Sequence, residues 1–211
     1  MISAYSEKKW IEAIGHKEDG KYTEYIYKSD LGEVVYHFYK RTAGNIDGIE
    51  YYDIASYRGA AGPKINRVKQ GATKQLMEDF LKMFSKYCEE EKIIAEFAKL
   101  DPWDENADII KEVLEAEFYG NYYCCDLTGD FYEKYNRNAK RGIKKAIAGG
   151  VYAKVDTEGE TIHQFIDLYK NTETKHTVSD YYKMTDDDVR RFFDIYGENV
   201  FLINAWLKDR I

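Results

Sequence analysis

The sequence predicts an α/β protein, an α+β arrangement built round a mixed sheet and organised as two consecutive units, residues 1–120 and 121–211. Three observations predict it. Runs of alternating apolar and polar residues fill the stretch from residue 22 to residue 54. Long amphipathic stretches with helical spacing follow from residue 73. Beyond residue 90, strand-like and helix-like segments alternate.

The elements follow in order. The first fifteen residues read as a short helix with Trp10, Ile11 and Ile14 on one face. Residues 22–27, 34–39 and 49–54 are aromatic and β-branched and read as strands of an antiparallel meander. Turns are expected at Ser29-Asp30-Leu31-Gly32, at Ala43-Gly44-Asn45 and at Asp47-Gly48. A glycine-containing loop, residues 56–63, then leads to a long helix. Leu76, Phe80, Phe84 and Tyr87 mark its apolar stripe, with Met77, Leu81 and Cys88 beside them. Residues 93–100 read as a buried strand, Pro102 closes it, and residues 106–116 form a second helix. The first unit is therefore expected to run αβββαβα.

The second unit opens with a strand at 122–127. Thr128 is placed to cap a helix over 131–148, which Gly149-Gly150 stop. A strand at 151–155 follows, then a helix marked by Ile162, Phe165, Ile166 and Tyr169. Thr185-Asp186-Asp187-Asp188 resembles a capping box. The helix it opens carries Val189, Phe192, Phe193 and Tyr196, ends at Gly197, and precedes a last strand at 200–207. The three aspartates suit a helix N-terminus better than a metal site, and no metal is expected.

Composition narrows the class. The chain has 211 residues, 44% hydrophobic and 33% charged, which is globular. Twenty tyrosines against two prolines exclude collagen-like, proline-rich and disordered classes. A net charge of −7 disfavours a general nucleic-acid coat. No stretch approaches the roughly 20 apolar residues of a membrane span. Residues 1–10 lack the apolar segment of a signal peptide. Three cysteines, Cys88, Cys124 and Cys125, have neither disulfide nor metal spacing and read as buried small hydrophobes in a reduced, cytoplasmic protein.

The strongest local signal is the helix 131–148. Lys134, Arg137, Lys140, Arg141, Lys144 and Lys145 stand there against one acid, Glu133. At about 100° per residue, the six cations fall within an arc of about 140°. Phe131, Tyr135, Ala139, Ile143, Ala146 and Ile147 occupy the opposite arc, which is expected to pack. Such a face suits a phosphate-bearing partner. The alternative is a solvated face balanced by acids across space.

The loop 56–63 is the second signal. Gly59 and Gly62 allow positive φ, Pro63 stiffens the exit, and backbone N–H groups there could face an anion. No Gly-Lys-Ser/Thr follows, so it is not a P-loop. Ala61 stands where the acyl-CoA loop of acetyltransferases needs glycine. A plain tight turn is the alternative.

His16, His37, His163 and His176 are scattered, and His37 reads as a satisfied core histidine. Asp101 and Asp104 flank Pro102-Trp103 in turn and cap roles. No motif assigns a nucleophile or general base, so the catalytic residues stay unassigned.

The order of these pieces resembles a known family. It runs from the Ser56 to Pro63 loop through Phe84…Cys88-Glu89-Glu90 to the segment from Ile94 to Pro102. Cys125-Asp126-Leu127-Thr128 and Asn138-Ala139-Lys140-Arg141-Gly142-Ile143-Lys144-Lys145-Ala146…Gly150-Val151 come next. Phe165…Leu168-Tyr169…Thr172…Thr174 and the Tyr181-Tyr182 pair complete it. This resembles the Fem family (FemA/FemB/FemX-like peptidyltransferases) and the related acyltransferases of the GNAT superfamily.

The resemblance implies tandem GNAT-like domains and transfer of an aminoacyl group, or a simpler acyl group, onto an amine of a cell-wall or glycan precursor. The co-substrate would be aminoacyl-tRNA or acyl-CoA, with no tightly bound cofactor. The loop, with Tyr57, Arg58, Gly59 and Gly62, would line a substrate cleft. Arg137, Lys140, Arg141, Lys144 and Lys145 would meet the phosphates of a UDP-linked or lipid-linked muropeptide or glycan, or of a tRNA. Two departures stand out. Arg58 and Ala60 replace the aromatics of the family's Tyr-Gly-Tyr-x-Gly-Pro loop, and Lys99 stands where arginine is usual.

The second unit also stops short of a complete GNAT-like domain. Either the chain is a fragment, or it is a shortened relative whose sheet a second copy, in a homodimer, or a partner strand completes. The competing functions are a non-catalytic GNAT-like module that grips a phosphate-bearing precursor or tRNA, and RNA binding alone.

Overall fold

The computed structural model describes residues 8–57, 59, 61–121, 123–124, 126–176, 178–208 and 210–211. The chain divides into two compact units, Met1–Phe118 and Tyr119–Ile211. Both are mixed α/β.

Unit 1 begins with helix α1 (Lys8–Ile14), which buries Ile11, Ala13 and Ile14. Strands β1 (Lys21–Ser29), β2 (Gly32–Ile46) and β3 (Ile49–Ala55) form the expected antiparallel meander. Asp47 and Gly48 both take positive φ, which closes the β2–β3 hairpin in a two-residue turn. The expected turn at 43–45 is instead a bulge inside β2, where the register shifts between Thr42 and Gly44. One extra residue there bends the strand without ending it.

After the glycine loop comes a strand that the sequence reading omits, β4 (Lys64–Val68). It pairs antiparallel with Gly32–Val35 at the start of β2. β3 uses the same edge of β2 further along, so two strands share one side of a fifteen-residue strand. Helix α2 (Thr73–Glu90) then crosses over to β5 (Ile93–Phe97), which pairs parallel with β3 and makes the sheet mixed. Helix α3 (Ala107–Val113) follows.

The core lies between the sheet and α2. Val34, Tyr36 and Phe38 alternate on one face of β2 and are fully buried. They meet Leu76, Met77, Phe80 and Phe84, the stripe that helical spacing points out. β5 is shorter and more open than the buried strand expected over 93–100. Only Ile93 is buried, while Ile94 is 62% and Phe97 58% exposed. The reason is position: β5 is the outermost strand, bonded to β3 on one side only.

Unit 2 contains helix α4 (Arg137–Ala148), strand β6 (Val151–Asp156), helices α5 (Ile162–His176) and α6 (Asp186–Tyr196), and strand β7 (Leu202–Leu207). The expected strand at 122–127 is absent among its described residues, and Tyr122 and Cys125 lie outside them. Cys124 is exposed, contrary to expectation, and Cys88 is half-buried. β6 and β7 pair antiparallel from Val151↔Leu207 to Asp156↔Leu202. Ile162, Ile166 and Val189 form the small core, with Leu202 against it. On the other sheet face, Val155, Ile203 and Leu207 are exposed. The capping box of α6 forms as expected, with Thr185 and Asp188 bonding each other's backbone N–H. Gly197 ends that helix with a positive φ.

The candidate anion-binding helix and the glycine loop

Helix α4 starts six residues later than the basic pattern suggests. Asn136, not Thr128, is its cap, with its side chain accepting from the Ala139 N–H at 2.9 Å. The residues before it turn without becoming α-helical because aspartates capture their amides. Asp126 accepts from the Thr128 N–H and hydroxyl, and Asp130 from the Tyr132 and Glu133 N–H groups. Local side-chain acceptors of this kind compete with the helical ladder.

The later start divides the six cations. Lys134 lies outside the helix and bonds Asp126 at 2.6 Å. That ion pair, with the Thr128 bonds, holds the Asp126 carboxyl at about 2. Lys140 folds back onto Glu133, reaching its carboxylate at 2.8 Å and its carbonyl at 2.9 Å, and stands over the Tyr132 ring. These two fit the balanced-face alternative. Arg137, Arg141, Lys144 and Lys145 differ: all four are exposed and have no ion pair among the described residues. Helical geometry puts them within about 100° of arc.

The apolar arc of α4 is only partly covered. Ile143 and Ala146 are half-buried, Ile147 is 65% exposed, and no residue of the helix is fully buried. The first turn carries no acidic side chain to repel an anion, although the Asn136 cap already takes the Ala139 N–H.

The loop residues lie in unit 1. Tyr57 is buried, at 3% exposure, so it is wall and not surface. Gly59 and Gly62 both take positive φ, at 111° and 120°. Arg58 and Ala60 lie outside the described residues. The loop is tied to the chain following β5. The Ser56 N–H donates to the Phe97 carbonyl at 2.8 Å, the Ala61 N–H to the Lys99 carbonyl at 2.6 Å, and the Lys99 N–H to Ser56 Oγ at 3.2 Å. Two of the amides that could have met an anion are thus already engaged. A cavity of about 30 Å³ lies beneath the loop, lined by Tyr57 and Gly62 together with His37, Lys64, Asp101 and Asp104. Ligand pockets for drug-sized molecules run to about 300–1,000 Å³, so a nucleotide does not fit in it.

His37, Asp101 and Asp104 keep the local roles that the sequence suggests. His37 Nδ1 bonds the Tyr22 hydroxyl at 2.8 Å, and the two aspartates accept from the N–H groups of Trp103 and Asn106. Their meeting with Lys64 in one cavity is not visible in the sequence, because β4 and the chain after β5 bring them together. Among the described residues there is no cluster that could hold a metal ion and no helix long and apolar enough to cross a membrane.

Comparison with protein families gives a match to the FemAB family over residues 89–208, more than half of the chain and including all of α4. Comparison with curated proteins gives no match.

Proposed function

The chain belongs to the FemAB family, and from that premise we propose that it is an acyl- or aminoacyltransferase acting on an amine of a cell-wall or glycan precursor. Family membership supports a transferase role connected with peptidoglycan synthesis. The finer reading adds the ligand. Arg137, Arg141, Lys144 and Lys145 hold the phosphates of a UDP-linked or lipid-linked precursor, and the co-substrate is aminoacyl-tRNA or acyl-CoA. The observation that carries this is the set of four exposed, unpaired cations on one arc of α4, inside the matched region.

The chemistry asks little of a base motif. An amine attacks an activated ester or thioester, the C–N bond forms, and the alcohol or thiol leaves. Positioning the reactants and stabilising the oxyanion supply the rate. We place the reaction in the cytoplasm, in keeping with three cysteines whose spacing suits neither a disulfide framework nor a metal site.

The test is a double charge reversal, Arg141→Glu with Lys144→Glu. Titration calorimetry with a UDP-linked muropeptide should show at least a tenfold loss of affinity at an unchanged melting temperature. Unaltered binding would remove α4 from the site. A donor screen with aminoacyl-tRNAs and acyl-CoAs then separates enzyme from module. Transfer supports the enzyme, while binding without any transfer supports the non-catalytic reading.

A further inference from the structure

Helix α4 is amphipathic, yet none of its residues is fully buried. Ile143 and Ala146 are half-buried on the side that packs. The open side carries Arg137, Arg141, Lys144 and Lys145, and no residue of the helix is acidic. Ile147 belongs to that open side as well. It is 65% exposed and stands between Ile143 and Lys144, about 60° of arc from the latter. Just before the helix, Phe131 is 41% and Tyr135 36% exposed. The acids of that stretch are already engaged. Lys134 holds Asp126, Lys140 holds Glu133, and Asp130 accepts two backbone N–H groups. A free cationic arc with apolar side chains at its margin is the pattern of a helix that lies in a membrane interface.

We propose that α4 docks the protein on an anionic lipid surface, with its four free cations among the headgroups and Ile147 at the acyl boundary. Charge complementarity selects this partner. A chain of net charge −7 meets a negative surface with its segregated positive face foremost. Ile147 separates lipid from RNA. A phosphodiester backbone pairs with the cations but gives an aliphatic side chain nowhere to leave water, whereas a bilayer does both. Among the described residues no helix is long and apolar enough to cross a membrane, so α4 lies on the bilayer and does not span it. Four cations and one aliphatic side chain give reversible attachment. A lipid-linked precursor carries its phosphates at that same surface, so docking brings the proposed substrate to the proposed site. This docking rests on the free cations of the precursor reading, and Ile147, which that reading does not use, separates the two.

Flotation of the full chain with lipid vesicles tests it. Vesicles of equal parts phosphatidylglycerol and phosphatidylcholine should bind the protein at least tenfold more tightly than phosphatidylcholine alone, and added salt should weaken the attachment. Ile147→Gln keeps a good helix former at an exposed position. It should weaken vesicle binding at least threefold at an unchanged melting temperature and leave the affinity for a UDP-linked muropeptide as it was. Ile147→Leu should bind like the parent, and Arg141→Glu with Lys144→Glu should lose both ligands. Equal binding to the two kinds of vesicle would overturn the docking, as would full vesicle binding in Ile147→Gln or in the charge reversal. Loss of the muropeptide together with the vesicles in Ile147→Gln would put that side chain in the precursor site and overturn it too. Binding of tRNA without binding of vesicles would assign the face to RNA instead. Muropeptide binding without vesicle attachment would overturn the docking and leave the precursor site standing, and vesicle attachment without muropeptide binding would do the reverse.

Discussion

The Thr161 hydroxyl stands 2.6 Å from Asp156 Oδ2 and donates to it. The same hydroxyl accepts from the Asn204 amide at 2.6 Å, so one side chain ties the end of β6 to β7. Asp156 also accepts the N–H groups of Glu158, Gly159 and Thr161, and it is 8% exposed. Arg190 of α6 reaches the Glu158 and Gly159 carbonyls from the other side. The five-residue turn between β6 and α5 is thereby held by a strand, a helix and the aspartate that precedes it.

The acid behaviour of unit 2 follows from this. Burial pushes the Asp156 carboxyl up, but the Thr161 hydroxyl and the backbone N–H groups outweigh it and hold the carboxyl at about 2, below the ordinary 3.8. A depressed carboxyl stabilises the fold above its unfolded pKa, and that stability is lost as pH falls through the folded one. Protection of the Gly159 and Thr161 amides against hydrogen exchange, relative to their intrinsic rates at each pH, should therefore fall between pH 3.8 and about 2. Asp156→Asn should remove that pH dependence and cost about 1–3 kcal/mol at neutral pH, the cost of unsatisfied buried groups. A wild-type acid limb surviving in Asp156→Asn would assign the effect to another carboxyl.

The cap of α4 offers a test that leaves every charge in place. Asn136→Ala removes the acceptor of the Ala139 N–H and should cost about 1 kcal/mol of helix stability. The first turn frays, and Arg137 loses its fixed place beside Arg141. Affinity for a UDP-linked muropeptide should fall a few-fold, with less effect than the double charge reversal. Amide exchange at Ala139 and Lys140 reports the fraying independently of binding.

The parts of the fold legible in the sequence are those where local pattern and final packing agree. Val34, Tyr36 and Phe38 alternate because one face of β2 is buried, and Thr185 with Asp188 makes its capping box within one turn. The misses have a common cause. β4 is a strand because the start of β2 has a free edge, which nothing in Lys64-Ile65-Asn66-Arg67-Val68 announces. The stretch before Asn136 keeps helical spacing on paper, yet Asp126 and Asp130 take its amides. The four free cations of α4 were visible as part of a larger set, and only three-dimensional pairing removes Lys134 and Lys140. The cavity was not legible, since residues 37, 64, 101 and 104 meet through strand order alone.

Gly62 is a position where glycine is required twice over. Its φ is 120°, outside what side-chain-bearing residues adopt, and a Cβ there would stand 2.7 Å from Leu100 Cδ2. Gly62→Ala should destabilise unit 1 by about 1–3 kcal/mol. Gly44 is the control, because a Cβ there meets nothing within 4 Å. Gly44→Ala should melt within a few degrees of the parent, and equal losses at both sites would contradict the close approach of loop and Leu100.

The aromatic residues divide into two kinds, and a pair of truncations separates them. Phe84 is the hub of the aromatic core, with ring centroids 5.1 Å from Tyr25, 5.3 Å from Tyr36 and 5.5 Å from Phe80. It is 3% exposed, so Phe84→Ala opens a cavity that its rigid neighbours cannot fill. The loss should be about 3–5 kcal/mol in denaturant unfolding followed by core amide exchange in unit 1. Tyr123, at 96% exposure, buries almost nothing in this chain. Tyr123→Ala should fall within about 0.5 kcal/mol of the parent. A large loss at Tyr123 would mean that its ring is covered in solution, and a small loss at Phe84 would mean that α2 does not anchor the sheet.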